Sequence, residues 1–202
     1  MKAKTAVLAI GMRGAGKTTY CKKVKEAHPE INFFCRDDFF MEHFGHYSFD
    51  PYSGEGHYAD FCFWQHIEES LRERSGVFLI DYWTGWADVR RKIVAKLCGY
   101  GATGVFGLYF DTPLETCVKQ FVLRETKVDD LDWQKEMYEH MARHNYDLFH
   151  KNLSDIFPTE EEKSWLVPNA ELDPNFVCDR LKFHFDGLTI VNPSQLTLPG
   201  VF

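Results

Sequence analysis

Gly11-Met12-Arg13-Gly14-Ala15-Gly16-Lys17-Thr18 carries the spacing G-x-x-x-x-G-K-[ST] and follows the apolar run Thr5 to Ile10. Glycines at these intervals let successive backbone N–H groups turn inward as an anion nest, and a helix starting at Lys17 adds its positive N-terminal end. The chemistry expected is nucleotide phosphate binding. Gly11, Arg13, Gly14, Ala15, Gly16, Lys17, Thr18 and Thr19 form the candidate phosphate site, with Lys17 reaching the β- and γ-phosphates and Thr18 Oγ a ligand of Mg²⁺. Arg13 is either a phosphate contact or an exposed side chain of the loop.

Two further acidic positions stand at the ends of apolar runs. Asp81 closes Val77-Phe-Leu-Ile80, the position from which a carboxylate serves the Mg²⁺ shell or holds the hydroxyl of the phosphate loop. Asp37 and Asp38 follow a short run ending at Cys35. A pair of acids there is either a helix cap or a source of a general base that accepts a hydroxyl proton.

The elements that must position these residues read as alternating strand and helix. A helix is expected over Lys17 to Ala27, a strand over Ile31 to Cys35, and a helix from about Tyr58 to Arg74. Val77 to Ile80 is the next strand and Ala87 to Leu97 the next helix. Val105 to Phe110 is a buried strand, Pro113 opens a helix to about Glu125, and Trp133 to about Asn145 is helical with Trp133, Met137 and Met141 along one face. Pro158 to Glu162 reads as a loop entering a short helix with Thr159 as N-cap, and Leu188 to Val191 as a last strand. The pattern predicts an α/β P-loop NTPase fold: a doubly wound parallel sheet of about five strands with helices on both faces, and ligands at the carboxyl ends of the strands.

Composition narrows the class. The chain of 202 residues carries a net charge of −7, with 45% hydrophobic and 16% aromatic residues. That excludes disorder, and no apolar run approaches the roughly 20 residues of a membrane span. One domain over 1–202 and a cytoplasmic location are the expectation. The acidic balance argues against a protein that coats nucleic acid; Lys22-Lys23-Val-Lys25 and Arg90-Arg91-Lys92 are local basic runs that also suit solvated helix faces. The cysteines show no C-x-x-C pair, so buried thiols are expected rather than a zinc site or disulfides.

Taken together, the phosphate loop, Asn32 to Phe39 with Arg36-Asp37-Asp38, the Gly76-to-Asp81 run and Asp111-Thr112-Pro113 resemble the polynucleotide 5′-hydroxyl kinases of the bacteriophage type over roughly residues 3 to 145. The resemblance implies an ATP- and Mg²⁺-dependent kinase in which Asp37 is the general base, Arg124 a lid arginine on the transferring phosphate, and Lys17 the third catalytic residue. It also implies a lid over about 124–133; Thr18 and Asp81 are the expected metal ligands from the loop and the strand end, and Arg36, Asp38, Phe39, Phe40, Tyr82 and Trp83, the neighbours of Asp37 and Asp81, are the acceptor-side candidates. The phosphatase domain of some relatives has no counterpart here. Family members carry an arginine three residues after the base, where this chain has Phe40, and Thr-Asn where it has Tyr82-Trp83. The acceptor side is therefore less well specified than the nucleotide side.

An aromatic segment over about 38–66 replaces it. Its rings either stack bases of a single strand or an extruded base, or form the core of an acceptor-binding cap, with Phe39 and Phe40 the nearest to Asp37. The acceptor is then a nucleic acid (a single strand or DNA end, or a hydroxymethylated base) or a nucleoside-like or other small alcohol; no membrane partner is expected. Asn192-Pro193 is a weak candidate for holding the adenine.

Overall fold

The computed structural model describes residues 3–50, 52–110, 112–126, 132–151 and 166–168. In chain order the elements are β1 (Lys4–Gly11), α1 (Lys17–Ala27), β2 (Asn32–Cys35), α2 (Arg36–Phe44), α3 (Gly54–Glu73), β3 (Gly76–Asp81), α4 (Ala87–Gly99), β4 (Gly104–Phe110), α5 (Leu114–Glu125), α6 (Asp132–Lys151) and β5 (Leu166–Pro168). The strands form one parallel five-stranded sheet in the order β2-β3-β1-β4-β5.

This order follows from the apolar content of each strand. β1 is paired on both sides, by β3 and β4, and is buried from Thr5 to Gly11. A strand covered on both edges and faces has to be apolar throughout, as Ala-Val-Leu-Ala-Ile is. The chain leaves β1 toward β2 and β3 on one side, then returns to β4 on the other, so the order reverses beside β1. That switch point opens a crevice at the carboxyl ends of the strands. Register pairs Cys35 with Asp81, Leu8 with Ile80 and Gly11 with Phe110, which brings the carboxyl ends of β1, β2, β3 and β4 to the same end of the sheet.

Three elements differ from the sequence expectation. The Asp37–Asp38 pair lies within a helix, α2, that periodicity did not reveal; its N-terminal turn carries both acids, which favour the positive end of the dipole, and Gly45 closes it at φ 78°. The long aromatic helix begins earlier, at Gly54, where Ser53 Oγ accepts from the Gly56 N–H at 2.9 Å. The fifth strand is Leu166–Pro168, paired with Gly107 to Tyr109. The expected strand at 188–191, the short helix after Thr159 and the Asn192-Pro193 pair lie outside the described residues, as do Asp111 and residues 127–131 of the lid. No helix among the described residues is long and apolar enough to cross a membrane.

The core contains much of the aromatic segment. Phe40 and Phe63 are fully buried and Trp64 nearly so. Phe40 packs against Phe49 at 5.1 Å, Phe44 at 5.9 Å and Phe63 at 6.4 Å between ring centroids. Packing is the reading that holds for these rings, whereas Tyr47, Tyr52, Tyr58 and Phe61 are exposed. Arg90, placed by sequence in a basic surface run, is fully buried, and its Nη1 donates to the Thr84 carbonyl at 2.9 Å.

Candidate active site

The phosphate loop is shaped by main chain. Gly14 and Gly16 have φ of 76° and 87°, and Gly16 is the N-cap of α1. A side chain at Gly14 would place its Cβ 2.1 Å from the Cys117 carbonyl oxygen of α5, so glycine is required by contact as well as by conformation. The Ala15 N–H donates to the Met12 carbonyl at 3.2 Å, closing the turn. Lys17 Nζ donates to the carbonyls of Gly11 and Met12, both at 3.1 Å, and so spans the loop from inside. Arg13 and Thr19 are exposed, and Ala15 is buried.

Thr18 and Asp81 meet: Thr18 Oγ1 donates to Asp81 Oδ2 at 2.5 Å. Asp81 is buried, and burial pushes its carboxyl above the ordinary 3.8, opposed by the Lys17 ammonium and the Thr18 hydrogen bond. Burial likewise pushes Lys17 below its ordinary value, with the Asp81 carboxylate acting against it. Each charge is costly alone and partly offset by the other. Cys35 Sγ lies 3.9 Å from the same Asp81 oxygen, and burial, then that carboxylate, push its thiol up to about 12. It is therefore a neutral neighbour at ordinary pH.

A hydroxyl and a carboxylate are hard oxygen donors of the kind Mg²⁺ takes from protein, which commonly supplies one or two ligands and leaves the rest to phosphate and water. Among the described residues no cluster of three or more His, Cys, Asp or Glu could hold a metal. Thr18 and Asp81 fit the protein's share of a phosphate-dependent Mg²⁺ site.

The other predicted residues gather around this pair to different degrees. Asp37 is half-exposed on the first turn of α2, and its charge acts on both Lys17 and Asp81. Arg124, at the end of α5, acts electrostatically on Lys17 while its own guanidinium contacts Glu125 at 2.8 Å. Asp38 turns to α1 and pairs with Lys22 at 2.8 Å, which suits a structural tie between the two helices. Phe39 stacks on His43 with centroids 3.9 Å apart and remains partly accessible. Phe40 corrects the sequence expectation: with 0% exposure it is closed to an acceptor. Trp83 packs edge-on against the indole of Trp86, with ring centroids 6.4 Å apart.

Sequence reasoning missed Asp60. Its Oδ1 receives Arg36 Nε at 3.3 Å and its Oδ2 receives the Tyr82 hydroxyl at 2.8 Å, so it joins two of the predicted acceptor residues. The available signal was an acid set in the aromatic helix between Ala59 and Phe61-Cys-Phe-Trp64.

No protein-family model matches the chain, and no curated protein matches its sequence. Solved structures do match in shape. A chain of the Pnkp1/Rnl/Hen1 RNA repair complex aligns with TM-score 0.54 and 18% identity, covering 73% of this chain and 47% of that one. A second structure of the Pnkp1/Rnl/Hen1 complex gives 0.51 and 22%, covering 67% and 43%. This chain thus spans about half the length of those chains. A protein of Chloroflexus aurantiacus, classed provisionally as a kinase, aligns with TM-score 0.62 and 14% identity over 91% of this chain and 99% of its own. At these identities the likeness is one of fold alone: a parallel α/β sheet of the P-loop NTPase type.

Proposed function

We propose that this chain is an ATP-dependent phosphotransferase that moves the γ-phosphoryl group to a hydroxyl of a nucleic acid, with a polynucleotide 5′-hydroxyl as the acceptor. The observation that carries the reading is the Thr18–Asp81 hydrogen bond beside Lys17 in the glycine-shaped loop; Asp37, on the first turn of α2, is near enough for its charge to act weakly on Lys17 and Asp81. The fold likeness to a chain of an RNA repair complex supports a nucleic-acid acceptor.

In this reading Lys17 exchanges the Gly11 and Met12 carbonyls for phosphate oxygens, and the loop amides hold the remaining charge. Mg²⁺, when bound by Thr18 and Asp81, neutralises charge on the phosphates. Arg124 closes over the γ-phosphate from the lid of about 124–133. Asp37 takes the acceptor hydroxyl proton as that oxygen bonds to the γ-phosphorus, and the bond to the β–γ bridging oxygen breaks to release ADP. Arg36, Asp38, Phe39, Tyr82 and Trp83 remain the acceptor-side candidates. A second reading, phosphorylation of a hydroxymethylated base or a nucleoside-like alcohol, draws on the net charge of −7 and on the partly accessible Phe39 ring.

The test is transfer of label from γ-labelled ATP with Mg²⁺ to a 5′-hydroxyl single-stranded oligonucleotide, by wild type and Asp37→Asn. The expected result is labelled oligonucleotide with wild type and a rate lower by about 10²-fold or more in the variant, the scale of a lost general base. Confirmed ATP binding without label on the oligonucleotide would overturn the 5′-end acceptor and direct the assay to hydroxymethylated DNA and small alcohols.

A further inference from the structure

Arg36 is one residue before the proposed base and is held on several sides. Its Nε contacts Asp60 Oδ1 at 3.3 Å and its Nη1 contacts Asp37 Oδ1 at 3.4 Å. The guanidinium carbon lies 4.2 Å from the centroid of Phe40, one helical turn further along α2, and 5.9 Å from that of Tyr82. Tyr82 is itself fixed, since its hydroxyl donates to the other Asp60 oxygen at 2.8 Å. Burial first, and the Asp60 carboxylate second, push the Tyr82 phenol up to about 12, so it stays a donor at any working pH. A single carboxylate on α3 therefore anchors a cation from α2 and a phenol from the end of β3.

We propose that Asp60 is a positioning residue of the acceptor side, fixing Arg36 as the cation that meets a phosphate of the acceptor strand beside Asp37. The inference rests on the kinase reading above. The guanidinium lies over the Phe40 face and is shared between the two carboxylates at nearly equal distances, 3.3 Å to Asp60 and 3.4 Å to Asp37, so Asp60 holds it beside the base through a different nitrogen. A guanidinium has five donors in a fixed fork; among the described residues Nε and Nη1 have carboxylate partners, which leaves Nη2 to offer to an anion. Arg36 keeps 21% of its side-chain surface open, against 0% for the Phe40 beneath it, so the cation and not the ring is what an acceptor meets. A purely structural tie between α2 and α3 would have no reason to leave Nη2 unused.

The experiment compares wild type, Asp60→Asn and Tyr82→Phe with the same 5′-hydroxyl oligonucleotide at several salt concentrations. Asp60→Asn is expected to raise the KM for the oligonucleotide about tenfold while the KM for ATP stays within about twofold, the pattern of a lost charge-assisted phosphate contact. The slope of log affinity against log salt should fall by about one phosphate contact. Tyr82→Phe, which removes one tether and leaves the carboxylate, should move both quantities the same way by less, and it remains the readout if circular dichroism finds Asp60→Asn unfolded. An unchanged oligonucleotide KM with a fallen kcat, or a parallel rise in the KM for ATP, overturns the assignment. If wild type transfers no label, the kinase reading fails separately, and fluorescence anisotropy of the labelled oligonucleotide decides this one. Binding about fivefold weaker or more in Asp60→Asn, with a flatter salt slope, upholds it; equal binding overturns it.

Discussion

The two sides of the site are built from different parts of the polypeptide. The phosphate side is main chain: a loop closed by Ala15 on Met12, a glycine against the Cys117 carbonyl, and a lysine resting on two loop carbonyls. The proposed acceptor side is side chain: a carboxylate, a guanidinium and a phenol laid over buried aromatic rings. Main-chain geometry admits few sequences, because a positive φ or a 2 Å approach excludes every Cβ. Side-chain geometry admits many, because rings of similar volume exchange and charges move by a helical turn.

The largest effect expected from this contrast is at Gly14. Gly14→Ala would place a Cβ 2.1 Å from the Cys117 carbonyl oxygen and 2.9 Å from its carbon, at a φ of 76°. The loop must shift as a unit, and the inward N–H groups shift with it. ATP affinity should fall by about 10²-fold or more, because the anion nest acts through those amides together. Isothermal titration calorimetry measures it; affinity within about threefold of wild type would show that the loop is held by side chains after all.

Phe40→Ala tests the other side and should separate cleanly from the first. Removing a fully buried ring from the Phe44, Phe49 and Phe63 cluster costs about 3–5 kcal/mol, which is roughly 6–20 °C in Tm for a chain of this size. Arg36 also loses the surface it lies on. At a temperature where the variant is folded, ATP affinity should stay near wild type while the oligonucleotide KM rises. A fall in ATP affinity equal to that of Gly14→Ala would mean that the two sides are one packed unit.

The same contrast explains what could be read in advance. The α1 bounds, Lys17–Ala27, and the place of Asp81 at the end of β3 follow from local rules: a glycine turn, an apolar strand, a helix stopped before Pro29. The α2 helix was missed because Arg-Asp-Asp-Phe-Phe-Met-Glu-His-Phe has weak helix formers in most positions, and the helix exists through tertiary burial of Phe40. Its absence from the reading hid the i to i+4 stacking of Arg36 on Phe40 and made Phe40 look available to substrate. Asp60 was hidden for a similar reason: its partners come from residues 24 and 22 positions away in sequence. Pro168 ends a three-residue strand paired by β4, a position where proline is tolerated in a sheet and which proline-based reading of the sequence does not reveal.

Asp81 belongs to both sides, being the end of a strand and a buried charge, and it offers the smallest but most specific effect. Burial raises its pKa above the ordinary 3.8 in the folded chain, despite Lys17 and Thr18. The sign follows directly: a folded-state value above the unfolded one means that folding takes up a proton near this pH. The stability that this group contributes is complete below about 3.8 and is lost as pH rises through the folded value. Asp81→Asn keeps an oxygen for the Thr18 hydroxyl and removes the charge. Without divalent cations, its Tm should match wild type at the acid end and exceed it at pH 7 by about 2–4 °C, the scale of roughly 1 kcal/mol for this length. Adding Mg²⁺ and ATP should reverse the order, because the ligands stabilise the wild type by linkage and the variant far less. A variant less stable than wild type at pH 7 without metal would mean that the Lys17–Asp81 attraction outweighs the burial of both charges, and that the phosphate side, too, is held together by its side chains.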